Sequence, residues 1–291
     1  MTNGNSIVNL GDLTKPATVL IEKIAEATGA VFRPYQIRRM AKAEAEAEKI
    51  KAIANIEITE IQQRGLQRFI NEQGRQQENI ENITAQAIPE LDAGAKPEAI
   101  EDDWIANFFD KCKLISDREM QSLWAKLLAG EANQPDTFSK RTVEFVSTLD
   151  KSDAQLFTNL CSFAWLSQEF VLLIYDLYHD IYKQQGITYA ALTHLDTIGL
   201  ITFNSITGFA VPELPKAISM SYHETTIDIE FQDDEKHKLD IGNVVLTKIG
   251  KELAPLCGAM KSDEFVDYII SKWQELGYIT SCPLKDNVDA A

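Results

Sequence analysis

The predicted fold depends most on residues 33–58, which read RPYQIRRMAKAEAEAEKIKAIANIEI, and on residues 61–83, which read IQQRGLQRFINEQGRQQENIENI. Between Pro34 and Pro89 the chain has no proline and only two glycines, and strong helix formers dominate its composition. A proline is tolerated at the first position of a helix and ends a helix that reaches it. We therefore predict a long helical arm over residues 35–92.

An arm of this composition cannot bury an apolar side against itself, so we expect it to need a partner. Its apolar positions do not keep one heptad register, and a two-stranded coiled coil is not secured. The arm either packs with another protomer or folds back as two helices. We assign the self-assembly contacts to four isoleucines: Ile50, Ile53, Ile58 and Ile61.

Residues 1–34 contain a short amphipathic helix that begins after Thr14, a residue type that caps helices. Val19, Leu20 and Ile24 fall near a helical period. This helix packs on the body or on another copy of the chain, or else it lies on a membrane surface. Glutamates on its polar side weaken the membrane alternative.

For residues 93–185 we predict a helical core domain. The runs IEDDWIANFFDKCKLI and SDREMQSLWAKLLAGE, at 100–115 and 116–131, each carry apolar residues at helical spacing. The run QLFTNLCSFAWLSQEFVLLIYDLYHDIY, at 155–182, is strongly apolar and aromatic, and we interpret it as dense helical core.

Residues 186–291 change in character. A short helix leads into Gly199, strand-like alternation follows, and LTKIGKEL at 246–253 predicts a turn into a helix. This order is typical of a winged-helix domain. The segment in the place of a recognition helix, 187–198, has no Lys or Arg, so we expect it to contact protein rather than DNA. The predicted fold class is mainly α, with a long arm, a helical core domain and this small α+β, winged-helix-like end.

The net charge of -16 belongs to the body and not to the arm. Residues 33–85 hold 9 Lys and Arg against 8 Asp and Glu, whereas residues 86–185 hold 9 against 17. An acidic body repels nucleic acid and anionic lipid, so nucleic-acid binding would have to use the arm. The cysteines show no CxxC spacing, and we see no leader peptide and no membrane-spanning run, so we expect a reducing cytoplasm.

No motif in the sequence supports catalysis, and we expect no enzyme, no cofactor and no metal. The histidines are not in HxxxH or HExxH spacing, and no P-loop or Rossmann glycine pattern is present. Glu101, Asp102 and Asp103 suit the start of a helix better than an acid–base site. Ser139 and Lys140 are adjacent, which is poor placement for a Ser/Lys pair.

One concentrated basic patch precedes the alanine-rich part of the arm. Two interpretations stay open: the patch pairs with the glutamates at 44–48 of the same or another helix, or it docks onto a nucleic acid or a lipid head group. The candidate anion-binding residues are Arg33, Arg38, Arg39 and Lys42.

Three segments are distinctive: FRPYQIRRMAKAEAEAEKI at 32–50, RQQENIENI at 75–83, and IEDDWIANFFDKCKLISDREMQSLWAKLLAGEANQPDTFSKRT at 100–142. Together they resemble a bacterial family known only as a domain of unknown function, over roughly residues 15–200. The PYQIRR opening is also similar to helical proteins grouped with bacterial abortive-infection factors. The first resemblance implies no activity and no site residues, and the second implies a role in defence against phage.

These observations favour a non-enzymatic oligomeric scaffold or sensor that mediates protein–protein interaction, in bacterial phage defence. The arm would form a homo-oligomer and the acidic body would bind a protein partner. One alternative is a nucleic-acid-binding regulator that uses the basic start of the arm. The other is an effector that touches a membrane through residues 15–32.

Overall fold

A computed structural model of the chain describes residues 13–29, 59–232 and 237–281. Contacts divide the chain into two compact units, Met1–Thr148 and Leu149–Ala291, which we call unit 1 and unit 2. Each unit has a core of closely packed aromatic rings.

Unit 1 is helical wherever the structure describes it, apart from turns and loops. Its helices are α1 Lys15–Thr28, α2 Glu60–Ala87, α3 Asp102–Cys112, α4 Arg118–Asn133 and α5 Lys140–Ser147. Short 3-10 turns at Ile88–Glu90 and Pro97–Ala99 connect α2 to α3. The side chains of Asp117 and Ser139 accept hydrogen bonds from first-turn N–H groups, which fixes where α4 and α5 begin.

Aromatic residues of α3 and α4 form the core of unit 1. Phe108 stacks on Trp104 and meets Trp124 edge-on, with ring centroids 5.1 and 5.0 Å apart. The indole N–H of Trp104 donates to the Phe138 carbonyl at 2.7 Å, so this buried donor is paired. Helix α2 packs mainly against α4.

Unit 2 combines helices with short strands. Its helices are α6 Lys151–Cys161, α7 Asp180–Lys183, α8 Tyr189–Thr197, α9 Lys248–Leu253 and α10 Asp263–Glu275. Its strands are β1 Ala164–Leu166, β2 Phe170–Leu172, β3 Ile201–Phe203, β4 Phe209–Val211, β5 Ala217–Tyr222, β6 Thr225–Glu230, β7 Leu239–Gly242, β8 Val244–Leu246 and β9 Ile279–Ser281.

An antiparallel five-stranded sheet of order β2-β1-β5-β6-β9 forms the centre of unit 2. The β5–β6 hairpin pairs Tyr222 with Thr225 at its tip and Ala217 with Glu230 at its base. Strand β9 pairs with the end of β6, and the pairs β3–β8 and β4–β7 form two smaller ladders. On this sheet Trp165 stacks on Tyr222 at 5.2 Å and meets Trp273 of α10 edge-on at 5.0 Å.

Gly242 allows two segments of unit 2 to approach closely. Its φ of +81° is in the left-handed region, and a Cβ built there would lie 1.9 Å from the carbonyl oxygen of Ile174. That oxygen accepts a hydrogen bond from the N–H of Asn243 at 2.8 Å. Only glycine fits this position without moving backbone.

The predicted fold class, mainly α, is wrong. Helices make up 55% of the described residues and strands 15%, and the sheet of unit 2 places the chain in the mixed α+β class. The prediction reduced the sheet to a small C-terminal feature. In the structure the β5–β6 hairpin has neighbours on both sides, because β1 joins one side and β9 the other. The winged-helix interpretation of residues 186–291 stays a prediction.

Part of this error lies in residues 155–182, which we interpreted as continuous helical core. Helix α6 ends at Cys161, and the next residues form β1 and β2, paired from Ala164 with Leu172 to Leu166 with Phe170. A short apolar run has no periodicity that separates a buried strand from a buried helix. The aromatic and β-branched residues of this run favour the strand.

Candidate functional site

Helix α2 has two halves that differ in burial. Residues 60–75, the exposed half, contain no buried residue. Residues 76–87, the buried half, pack into unit 1 through five buried side chains: Asn79, Ile80, Ile83, Thr84 and Ala87. At about 1.5 Å per residue the exposed half is about 24 Å long, which is enough length for a helical contact surface.

The apolar side of α2 continues from the buried half into the exposed half. Phe69 precedes Ala87, and Ile61 precedes Asn79, by about five full turns of 3.6 residues, so each pair lies on the same side of the helix. In the exposed half these side chains are open to solvent: Ile61 is 71% exposed and Phe69 is 58% exposed. The side that is buried in one half is therefore exposed in the other.

The start of α2 is set by local chemistry. The Gln62 side chain accepts a hydrogen bond from the Thr59 N–H at 2.9 Å, and Thr59 is the N-cap residue. Thr59 and Gln62 form a capping box, in which each side chain accepts from the backbone N–H of the other residue. The capping box satisfies N–H groups that have no partner within the helix. The helix therefore begins at Glu60, within the helical arm that we predicted over residues 35–92 as either one helix or two.

A buried polar contact holds the buried half of α2 in place. The Asn79 amide donates to the Lys113 carbonyl at 2.8 Å and to Ser116 Oγ at 3.1 Å. Its own Oδ1 accepts from Gln121 of α4 at 3.2 Å, and Gln121 also donates to the Ile115 carbonyl at 2.9 Å. Because both amides are buried and paired, α2 is fixed in both rotation and register against α4.

Three arginines lie along the exposed half, on the side of the helix that also carries Ile61. Arg64, Arg68 and Arg75 are separated by four and seven residues, a spacing that puts them on one side of a helix. Arg64 Nη1 lies 3.5 Å from Glu60, in an exposed pair that contributes little to stability. We did not predict these arginines as a site, although their spacing is visible in the sequence.

The structure places only one of the residues that we predicted as sites. Ile61 lies in the first turn of α2 and is exposed, as an assembly contact requires. The other assembly residues, Ile50, Ile53 and Ile58, and the anion-binding candidates, Arg33, Arg38, Arg39 and Lys42, lie outside the described residues. For these residues the assignments stay predictions.

A cleft lies beside α2 in unit 1, with a cavity volume of about 310 Å³. Its lining includes Thr28 at the end of α1, Gln76 of α2, and Asp110 and Lys113 at the end of α3. The Lys113 ammonium, which donates to Asp110 at 2.7 Å, lowers the pKa of that carboxyl. The cleft is polar along the wall formed by Gln76, Asp110 and Lys113.

The side chains that we weighed for catalysis have structural roles in unit 1. Ser139 caps α5 by accepting from the Thr142 N–H, and Lys140 Nζ lies 3.3 Å from Glu101. Asp102 lies 3.2 Å from Lys23 of α1. These contacts connect α3 with its neighbours, and none of them places a nucleophile beside a base.

The buried carboxylate of Glu131 also has a structural role. Its two oxygens accept from the N–H groups of Asp136 and Phe138, each at 2.8 Å, so it holds the loop between α4 and α5. Burial raises the pKa of Glu131, although these two hydrogen bonds oppose the shift. Both oxygens already accept hydrogen bonds from backbone N–H groups, so we assign this carboxylate no acid–base role.

Among residues 13–29, 59–232 and 237–281 no group of three or more His, Cys, Asp or Glu side chains is arranged to hold a metal ion. In the same ranges, no helix has both the length and the apolar character that a membrane crossing requires. The apolar side of α1, which we considered for membrane contact, is buried within unit 1 through Ala17, Leu20 and Ile24. This burial does not favour the membrane alternative.

The fold and the exposed half of α2 define a two-unit α+β protein with an exposed helix surface in residues 60–75. A family described as "Protein of unknown function (DUF2806)" matches residues 63–270, and the chain belongs to that family. The match begins within the exposed half of α2 and extends through most of unit 2, beyond the range of roughly 15–200 that the sequence suggested.

No curated protein and no solved structure matches the chain. The family match confirms the predicted resemblance to a domain of unknown function. The finer resemblance to abortive-infection factors, and with it a bacterial origin, finds no support in these comparisons.

Proposed function

We propose that the chain is a non-enzymatic oligomeric scaffold or sensor that assembles with further copies of itself through the exposed half of α2. One observation carries the proposal: the apolar side that α2 buries in residues 76–87 continues into residues 60–75, where Ile61 and Phe69 are exposed. A helix segment with exposed side chains gains little stability from its own hydrogen bonds in water. A partner that covers this side would stabilise it.

The contact area argues for a modest but specific interface. Full burial of a phenylalanine or isoleucine side chain contributes about 1.5–3 kcal/mol, and both Ile61 and Phe69 still have more than half of their surface to lose. Two copies of the helix would bury both residues twice. The symmetry of a homodimer therefore doubles the effect of each exposed side chain.

The charges of the exposed half suit a second copy better than a strongly charged partner. Glu60 and Glu72 alternate with Arg64, Arg68 and Arg75 along the helix. Mixed signs along a helix are typical of helices that pair with each other, because acids and bases of the two copies then complement one another. The predicted contacts Ile50, Ile53 and Ile58 immediately precede this half and would extend the same interface.

The test is the solution mass of the full chain by light scattering. Wild type is expected as a defined multimer, and Phe69→Asp and Ile61→Asp are expected to shift it towards the monomer mass. Ile206→Asp is the matched control, because Ile206 is 91% exposed in a turn of unit 2 and should leave the mass unchanged. A monomeric wild type, or an unchanged mass in both arm variants, contradicts the proposal.

The three arginines of the exposed half support a second candidate function, binding of nucleic acid along the arm. Arginines at helical spacing contact successive phosphates, and such binding weakens steeply with salt. Electrophoretic shifts of DNA and RNA at two salt concentrations test it, with Arg68→Glu combined with Arg75→Glu. A shift that is lost in the variant and at high salt favours this function, and an absent shift at low salt removes it.

A role in phage defence rests on the resemblance of the PYQIRR opening at residues 34–39, which lie outside the described residues. The acidic body, with 17 Asp and Glu against 9 Lys and Arg over residues 86–185, would bind the protein partner of such a system. Plaque counts on cells with and without the chain test this role. Equal counts over a range of phages contradict it.

A further inference from the structure

The two faces of the five-stranded sheet in unit 2 carry different side chains. On one face Trp165 stacks on Tyr222 and meets Trp273 of α10 edge-on. The strand neighbours of these residues, Leu166 and Ser221, are paired across β1 and β5. Because successive side chains of a strand alternate between faces, Leu166 and Ser221 lie on the second face. At these positions the second face therefore has smaller side chains than the aromatic one.

A cavity of about 340 Å³ lies against this second face. Strand β1 contributes Ala164 and Leu166 to its lining, and the segment that begins with the 3-10 turn after α9 contributes Ala254 and Gly258. Protein interiors are packed so closely that voids larger than a water molecule are few. A cavity of this volume is therefore an unusual feature beside a core of stacked aromatic rings.

Solvent reaches the cavity at its rim. Leu166 is 41% exposed, and the lining residues His223 and Pro255 are exposed as well. A small molecule can therefore enter from water without unfolding unit 2.

The lining is apolar and uncharged. Six of its ten residues are alanine, leucine, phenylalanine or proline, and among the described residues that form it none is Lys, Arg, Asp or Glu. The lysines that flank the lining segment 254–259 are paired: Lys251 with Glu169 at 2.7 Å and Lys261 with Asp263 at 2.8 Å. Because an ion pays a large desolvation cost in such a site, the lining suits an uncharged ligand.

Two polar side chains lie at one end of the lining, Ser221 and His223. Ser221 Oγ is 3.1 Å from Thr226 Oγ1, and a hydroxyl with one such bond keeps capacity for another. His223 is in the two-residue turn of the β5–β6 hairpin with a φ of +51°, a conformation that favours glycine. Its ring meets Tyr222 edge-on at 4.7 Å, which restricts the imidazole. A strained residue with a held side chain is typical of a binding site.

We propose that this cavity binds an uncharged bicyclic aromatic molecule that has one hydrogen-bonding group. An apolar cavity of about 150 Å³ holds benzene, so about 340 Å³ accommodates two fused rings. The rings would pack on Leu166 and Phe170, and the polar group would pair with Ser221 or His223. The site lies within unit 2, so it does not depend on assembly through α2.

The experiment titrates the full chain with indole and follows binding by ligand-observed NMR. Indole is expected to bind saturably, with a Kd of about 0.1–1 mM for so small a ligand. Benzothiophene, which has sulfur in place of the N–H group, should bind about 3- to 10-fold more weakly. Indole-3-carboxylate has the same rings with a negative charge and should bind at least about tenfold more weakly.

Variants of the lining place the binding in this cavity. Ala164→Phe fills the cavity and should abolish saturable binding, and Ala259→Phe fills it from the loop if Ala164→Phe does not fold. His223→Gly removes the imidazole while glycine suits the turn, so the fold should persist and the Kd should rise about 3- to 10-fold. Ser219→Ala, an exposed position of β5 two residues before Ser221, is the matched control and should leave the Kd unchanged.

Three outcomes would overturn the proposal. The first is the absence of saturable indole binding to wild type at millimolar concentration. The second is unchanged binding in a folded variant with a filled cavity, because indole would then bind elsewhere. The third is equal affinity for indole and indole-3-carboxylate, which would contradict the uncharged class of ligand.

Discussion

The two halves of α2 belong to one helix, yet they differ in how far their side chains are buried. Residues 60–75 have no buried side chain, while residues 76–87 bury Ile80, Ile83 and Ala87 and pair Asn79 with Gln121. Both halves are helical because their residues favour helix and because Thr59 and Gln62 cap the start. Helix formation and tertiary attachment are therefore separate properties of this segment.

This difference separates the positions of the arm where a substitution affects stability from those where it affects function. In the buried half a substitution acts on the fold, because side chains there are surrounded by others. In the exposed half a substitution acts on whatever covers the helix in solution. The proposals for assembly and for nucleic-acid binding both depend on this second property.

The largest effect is expected from Ile83→Asp, because Ile83 is fully buried against the core of unit 1. The change would place a carboxylate without a partner in an apolar site and destabilise unit 1 by more than about 4 kcal/mol. Urea unfolding followed by circular dichroism measures it. Asn82→Asp adds the same carboxylate at an exposed position one residue away and should change stability by about 0.5 kcal/mol or less.

A comparable loss in both variants would mean that the two positions do not differ in burial in solution. The boundary between the two halves of α2 would then be wrong. A mild effect of Ile83→Asp alone would show that the buried half can detach from unit 1.

A smaller loss is expected from Asn79→Ala, which removes the buried amide between α2 and α4. The Lys113 carbonyl and the Gln121 amide each lose one hydrogen-bond partner, and the expected cost is about 1–3 kcal/mol. Asn71→Ala in the exposed half is the control, since the hydrogen bond that it accepts from Gln67 lies in solvent. Equal effects of the two substitutions in urea unfolding would contradict the difference between the halves.

Much of unit 1 was predictable because its signals are local. Helical spacing around Trp104 and Trp124 indicated α3 and α4, and both residues are in the core. The start of α2 was also readable, since Thr59 and Gln62 have the spacing of a capping box. The burial difference along α2 was not, because both halves carry apolar residues and the position of α4 decides which of them are buried.

Unit 2 was harder to predict because its defining contacts are distant in sequence. Strand β1 pairs with β5, which lies about fifty residues later in the chain. The hydrophobic pattern of an apolar run does not indicate which distant strand pairs with it. Where a site depends on residues brought together by the sheet, the sequence offers residue types but not their neighbours.

A gain in stability is expected from Gly74→Ala in the exposed half. A Cβ at Gly74 would meet no atom within 4 Å, and alanine favours helix over glycine by about 1 kcal/mol. Amide hydrogen exchange over residues 60–75 should slow by a few-fold. Gly29→Ala is the opposite case, because Gly29 ends α1 with a φ of +68° and alanine is strained there. Faster exchange in Gly74→Ala would mean that the glycine serves a close contact with a partner.

The smallest effect on the isolated fold is expected from Phe69→Ser, and it separates stability from assembly. Phe69 is 58% exposed, so its loss should change the unfolding free energy of dilute, monomeric protein by no more than about 0.5 kcal/mol. If copies of the chain cover Phe69, the Tm of wild type rises with protein concentration, since association stabilises the folded state. The Tm of the variant should not depend on concentration. Two results would contradict this prediction: a wild-type Tm that does not change with protein concentration, or an unfolding free energy that falls by about 2 kcal/mol in the dilute variant. Either result would mean that Phe69 is covered by its own chain, so that the two halves of α2 do not differ.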